Sequence, residues 1–240
     1  MTPTDAPTTP ARGSAPLNRA AVLAAGVALA DREGLATVSM RRLSADLGVV
    51  PMALYKHVSD KDDLIAGMID LVVAGFAAPP LGLEWREGVR QRVLAARDAL
   101  REHPWLRPAI EAASQRTPAV LAHMNAVAGE LAGGGFSYDL VHHAMHALGH
   151  RIWGFSPEAF STRPAPGSPA PPVPSLEEQQ AMMGAMAQQY PHIAGVVIDT
   201  ATRHPLGACD DQFEFEFTLD LLLDAFARLH ETGWESRAAG

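Results

Sequence analysis

A chain of 240 residues with 48% hydrophobic and 19% charged residues can bury a sizeable core and is too apolar to be disordered or fibrous. Its formal charge of −8 argues against nucleic acid, but residues 1–64 hold seven Lys/Arg and seven Asp/Glu, leaving twelve and twenty for residues 65–240, so the whole surplus lies in the later part. No apolar run reaches the roughly 18 residues of a membrane span, MTPTDAPTTPARGSAP lacks the apolar core of a secretory signal, and the single Cys209 offers neither disulfide nor metal spacing, so a cytoplasmic chain without membrane contact is expected.

Residues 1–16, rich in Pro, Thr and Ala, are expected to form a disordered tail. Leu17, Ala21, Leu23, Val27 and Ala30 then recur near helical spacing, and Gly34 stops the helix. Ser39 reads as the N-cap of MRRLSADL, a helix that Gly48 ends. VPMALYKHV forms the next helix, with Pro51 in its first turn, where a missing N–H costs little. Ser59 or Asp60 caps KDDLIAGMIDLVVAGF, whose acidic start suits the helix dipole. Residues 77–83, with Pro79, Pro80 and Gly82, form the clearest boundary, dividing a domain over 17–76 from one over 84–232.

Beyond that boundary, helices are expected over 84–103, 104–114, 118–132, 137–155, 176–190 and 213–232. The six prolines of 163–174 rule out helix or central strand and predict a flexible loop. The phenylalanines of FEFEF alternate as a strand would, but FTLDLLLDAFARL keeps helical spacing for about four turns, so helix is expected there. With no strand and no internal repeat, the fold class is all-α.

LSADLGVVPMALYKHV, residues 43–58, is a helix, a Gly-containing turn and a second helix, the pattern in which the second helix enters a DNA major groove. Leu43, Leu47, Val49, Leu54 and Val58 supply the packed inner side, leaving Arg41, Arg42, Tyr55, Lys56, His57 and Lys61 for the outside and for phosphates. An ordinary two-helix corner with scattered basic residues is the bland alternative.

The string L-G-V-x4-L-Y-x-H-V-x2-K-x2-L, with residues 17–34 and VSMRR before it, resembles the N-terminal domain of the tetracycline-repressor (TetR) family of bacterial regulators. GFSYDLVHHAMHALGHRIWGF and FEFTLDLLLDAF are similar to the eighth and tenth helices of that family's C-terminal domain, so the resemblance runs from residue 17 to about 232. It implies that Arg41 reaches a guanine edge, where a bidentate arginine is the commonest specific contact. It places Ser39, Tyr55, His57 and Lys61 at phosphates, which fix register without carrying sequence information. Val50, Pro51, Met52, Ala53 and Lys56 fall at base-reading positions. The side chains of Val50, Met52 and Ala53 cannot hydrogen-bond a base edge but suit a thymine methyl, so an operator unlike that of the tetracycline repressors is expected.

The resemblance further implies a homodimer on a palindromic operator, released by a small-molecule effector. The helices over 137–155 and 213–232 would pair with their symmetry mates, with Leu219, Leu222, Leu223, Phe226 and Leu229 as an apolar seam. A largely apolar effector pocket is expected from Trp105, Ile110, Met124, Val127, Met145, Gly149 and Trp153, with Arg92, His103 and His146 as orienting groups. Ile110 stands where tetracycline-binding members carry a magnesium-ligating His, so a hydrophobic or aromatic effector is expected rather than a metal chelate, with no cofactor and no metal.

His142, His146 and His150 recur every fourth residue beside His143, yet the segments between them, HAM and ALG, lack the Glu of a zinc-protease helix, which favours polar positions in a helix interface. No nucleophile elbow, phosphate loop or dinucleotide fingerprint appears. The competing functions are a helical metal-dependent hydrolase using His146, His150 and Glu158, and a helical interaction module that binds no DNA.

Overall fold

The computed structural model describes residues 17–114, 116–153, 175–203 and 211–236; the expected tail over 1–16 and the Pro-rich 163–174 segment lie outside them. Those residues form α-helices, one short 3₁₀ turn and connecting loops, with no strand among them. Among the described residues no helix is long and apolar enough to cross a membrane.

Local chemistry sets the first four helices. Asn18 caps α1 (Arg19–Glu33) by accepting the Ala21 N–H at 2.8 Å. Ser39 caps α2 (Met40–Leu47) by accepting the Arg42 N–H at 3.2 Å. Gly48 ends it at φ 65°, a left-handed conformation that strains any residue with a Cβ. Pro51 opens α3 (Pro51–Leu54), which is shorter than the pattern over 50–58 suggests. Tyr55–His57 tighten into a turn in which the N–H groups of His57 and Val58 both reach the Leu54 carbonyl, at 2.8 and 3.0 Å, and Val58 turns inward. Asp60 caps α4 (Lys61–Ala74) by accepting the Asp63 N–H at 2.8 Å, while the Asp63 carboxylate accepts the Ser59 N–H at 2.8 Å.

Bare backbone lets α1 and α4 approach closely. A Cβ at Gly67 would lie 2.6 Å from Leu23 Cδ2, and one at Gly26 would lie 2.8 Å from Met68 Sδ. Leu29, Leu64 and Met68 are fully buried in this core, and Leu43, Leu54 and Val58 bring the helix-turn-helix onto it; Leu47 and Val49 are only half-buried. Arg19 clips the arrangement from outside, donating to the His57 carbonyl at 2.7 Å and forking onto Asp63 at 2.6 and 3.0 Å.

The Arg19 guanidinium and the Ser59 N–H together hold the Asp63 carboxyl at about 2, against an ordinary 3.8. A depressed carboxyl stabilises the fold fully above its unfolded value and loses that contribution as pH falls through its folded one. The pair is partly exposed, so Asp63→Asn is expected to cost about 1 kcal/mol at pH 7, a few degrees in Tm. Paired thermal melts should show the gap between variant and wild type constant from pH 7 to 5 and closing toward pH 2.

The described residues divide into two compact units between Met145 and His146. The first continues from α4 through α5 (Trp85–Glu102), α6 (Leu106–Ala112), α7 (Pro118–Gly133) and the start of α8 (Tyr138–Trp153). Here α4 packs on α5, α6 and α7 as well as on α1, so the 77–83 linker lies inside this unit. The second unit holds the end of α8, α9 (Leu176–Gln189), α10 (Pro191–Arg203) and α11 (Asp211–Glu231). α10, packed on α9, falls where no helix was expected. FEFEF is helix throughout: Phe215 is buried beneath the Arg151 guanidinium, 4.1 Å from the ring centre, while Phe213 and Phe217 are exposed.

Candidate nucleic-acid interface and a cavity behind it

The arginines around the helix-turn-helix separate into two groups. Arg32 and Arg42 join Glu33 and Asp46 in one ion-pair network, with Arg42–Glu33 at 2.7 Å, Arg32–Asp46 at 2.8 Å and Arg42 also on Asp46. Arg42 beside Glu33 holds that carboxyl below its ordinary range. Arg19 is committed to Asp63. These cations tie α1, α2 and α4 together.

By contrast, Arg41, Lys56 and Lys61 are exposed and form no ion pair or side-chain hydrogen bond among the described residues, and Tyr55 is 46% exposed with its hydroxyl likewise unclaimed. Val50 and Met52, at the start of α3, are 68% and 71% exposed. Large apolar side chains exposed at the start of a helix, in a segment that also carries unpaired cations, suit contact with base edges between phosphates. Ser39 is half-buried with its oxygen used as a cap, and Pro51 is exposed, while Ala53 and His57 are half-buried. Of the expected outward residues, Arg42 is the one the fold already employs.

Behind this surface a cavity of about 320 Å³ opens among the end of α4, α5 and α7, lined by Val73, Phe76, Arg92 and His123 and by Ala74, Ala77, Ala119, Ala122 and Ala126. The Phe76 and His123 rings meet edge to face at 5.2 Å. Burial pushes the His123 imidazole below its ordinary value, and the Arg92 cation adds to this, so the ring is neutral at pH 7. Arg92 donates to Glu130 Oε1 at 2.9 Å.

Of the described residues expected around an effector, only Arg92 lies on this cavity. His103 and Trp105 do something else: both bind Asp31 of α1, at 2.8 and 2.6 Å, tying the α5–α6 turn to the helix-turn-helix core. Ile110 and Val127 are buried, Met145 is half-buried and Met124 is 38% exposed. His146 and Gly149 belong to the second unit, and the Trp153 side chain and Glu158 lie outside the described residues. A second tie joins α4 to α7, where Asp70 Oδ1 accepts the Ala119 N–H at 2.8 Å and caps that helix. Asp31, Asp70, Phe76 and His123 were missed by sequence reasoning; a lone His in the alanine-rich PAVLAHMNAVAG was the one signal available.

On α11, Leu219, Leu223 and Phe226 are buried within the chain itself, and Leu222 and Leu229 are half-buried. Three of the five residues expected along a partner seam are thus already covered by their own chain. Phe213, Phe217 and Leu221 form the outward apolar row, 51–57% exposed, with the first two rings stacked at 6.2 Å. Phe217 and Leu219 are two residues apart, about 200° around a helix, which puts the two rows on opposite sides. His142, His143, His146 and His150 are all exposed, and among the described residues no three His, Cys, Asp or Glu side chains gather as a metal set.

A helix-turn-helix of this geometry, carried on an all-helical body, defines a DNA-binding regulator. The family models agree: "Bacterial regulatory proteins, tetR family" matches residues 22–68, and "Tetracyclin repressor-like, C-terminal domain" matches residues 78–229. The chain belongs to the tetracycline-repressor family of transcriptional regulators, which are not enzymes. It is 31% identical over 134 residues to an HTH-type transcriptional regulator of Saccharopolyspora erythraea, covering 55% of this chain and 57% of that one. It is 39% identical over 100 residues to the HTH-type transcriptional repressor DrrR1 of Streptomyces coeruleorubidus, covering 40% and 37%. The chain thus matches about half or less of the length of these relatives. Among solved structures, a possible TetR family transcriptional regulator from Streptomyces coelicolor A3(2) superposes with a TM-score of 0.65 at 26% identity, covering 88% of this chain and all of that one. Streptomyces coelicolor ActR in complex with actinorhodin superposes at 0.64 and 22% identity, covering 89% and 97%, a likeness of fold.

Proposed function

We propose that this chain is a repressor that binds an inverted-repeat operator as a homodimer and leaves it when a small, largely hydrophobic or aromatic effector occupies the α4–α5–α7 cavity. The observation that carries the DNA half is the separation of cations: Arg19, Arg32 and Arg42 serve the fold, while Arg41, Lys56 and Lys61 are unpaired around the exposed Val50 and Met52. Arg41 reads a base, Lys56 and the apolar tip of α3 enter the major groove, and Tyr55, His57 and Lys61 meet phosphates. DrrR1 is a repressor, which supports this reading by likeness. The bound actinorhodin of ActR supports the effector half in the same way.

The proposed switch uses α4, which begins at Lys61 on the DNA side and ends with Val73 and Ala74 on the cavity. An effector acts only through differential affinity, so it must prefer a placement of α4 that misaligns the two recognition helices. The Asp70 cap on α7 and the Asp31 bonds to His103 and Trp105 carry that placement to α1 and α4. The outward Phe213, Phe217 and Leu221 row supplies the dimer contact.

Selection from a pool of randomised duplexes by the full chain tests this. The expected winner is an inverted repeat with half-sites about one helical turn apart, whose affinity falls steeply with salt. Enrichment of no sequence over the starting pool, with no duplex affinity at low salt, would instead favour a helical interaction module.

A further inference from the structure

Among the described residues, the α4–α5–α7 cavity presents one cation and no acid. Among its lining residues only Arg92 is charged. The two flanking carboxylates are both turned onto protein donors, Glu130 onto Arg92 and Asp70 onto the Ala119 N–H. Glu130 is seated by the bare backbone of Gly88, where a Cβ would lie 2.6 Å from its Oε2. That seat aims the guanidinium. Nε and Nη2 both address the same oxygen, Oε1, at 2.9 Å, and Nη1 donates to nothing among the described residues. The Arg92 side chain is only 21% exposed, so an occupant of the cavity covers what water still reaches it.

A covered guanidinium with unmatched donors is costly, so an occupant must offer an acceptor there, and a carboxylate matches the guanidinium fork best. A cationic ligand would meet Arg92 with no acid lining the cavity. The remainder of the wall is apolar and low. Ala119, Ala122 and Ala126 present only methyl groups along α7, and Phe76 and His123 stand edge to face beside them. Such a wall leaves a slot suited to a flat ring system, whose face or edge the two aromatic side chains can meet. The neutral His123 ring, unclaimed by any hydrogen bond among the described residues, adds a donor or acceptor for a ring hydroxyl or carbonyl.

We propose that the effector is a planar aromatic acid, its carboxylate on Arg92 and its ring system between the α7 alanines and the Phe76–His123 pair. This rests on the reading of the cavity as the effector site, and the test separates the two. The probes are anthracene-2-carboxylate and the neutral anthracene-2-carboxamide, titrated by fluorescence against the full chain, wild type and Ala122→Trp, and then against its complex with a selected operator duplex. The carboxylate is expected to bind at least tenfold tighter than the carboxamide and to release the duplex. Ala122→Trp, which fills the slot from an exposed position, should remove both affinities. In Arg92→Gln/Glu130→Gln, which deletes the ion pair without stranding either charge, the two probes should bind alike.

Equal affinities of the two probes for the wild type, abolished by Ala122→Trp, would overturn the aromatic-acid assignment and leave the cavity as the effector site. Binding that survives Ala122→Trp undiminished, in a variant whose melting curve matches wild type, would overturn the cavity itself. Failure of both probes to bind the wild type would also overturn the aromatic-acid proposal, because the slot and the cation are present there without substitution.

Discussion

Phe217→Glu is expected to yield a folded monomer whose operator affinity is lower by a factor on the order of a hundred or more. The outward row of α11 holds Phe213, Phe217 and Leu221, each about half exposed, while the core row on the other side holds Leu219, Leu223 and Phe226. A glutamate at 217 stays in water in the monomer and is buried without a partner only when two protomers meet, so the penalty falls on association. Linking two modest half-site interactions commonly gains 10²–10⁴ in avidity, and a monomer forfeits that gain. Leu223→Asp is the contrasting substitution: Leu223 is fully buried within the protomer, so a carboxylate there should unfold the chain rather than merely part the dimer. Sedimentation velocity and circular dichroism distinguish the two results. A Phe217→Glu protein that sediments as a dimer would remove the outward row from the interface.

Arg41→Ala is expected to weaken the preferred duplex by roughly 1–3 kcal/mol, about 5- to 150-fold, and to relax preference at a single base pair of each half-site. Arg42→Ala, one residue away, should behave differently. Arg42 is bound to Glu33 and Asp46, so its loss should lower stability only slightly, as for other exposed ion pairs, and leave base preference unchanged. Binding titrations against duplexes substituted one base pair at a time measure both. Relaxed preference in Arg42→Ala with none in Arg41→Ala would exchange the roles given to these neighbours.

Much of the DNA-binding half is written locally in the sequence. Ser39, Gly48 and Asp60 each set a helix boundary through bonds within four residues, Pro51 does so through its fixed φ, and Leu43, Leu54 and Val58 mark the inner face by spacing alone. Pro191 illustrates the ambiguity of such signals. It follows α9 and opens α10, yet the expected helix over 176–190 was given no successor, because proline breaks the helix before it while suiting the first turn of the next. Amphipathic periodicity likewise shows that α11 has an apolar side without showing which of two rows faces its own core.

The features that shape the cavity were beyond local reading. His103 and Trp105 are aromatic neighbours of the kind expected in a pocket, but their partner, Asp31, lies more than seventy residues earlier. The Arg92–Glu130 and Asp70–Ala119 pairs span 38 and 49 residues. Arg41 and Arg42 look equivalent in sequence; only the positions of Glu33 and Asp46 in three dimensions separate a structural cation from an available one.

A photo-crosslinking amino acid, p-benzoylphenylalanine, placed at Met52 or at Leu81 tests the central claim most directly. Both positions are exposed, so neither substitution disturbs the core. Met52 is on the tip of α3, whereas Leu81 lies beyond the far end of α4, about 20 Å along that 14-residue helix from Lys61. With a selected operator duplex, irradiation should join position 52 to DNA within each half-site and leave position 81 unlinked. Crosslinking at 81 with none at 52 would contradict the placement of α3 in the major groove.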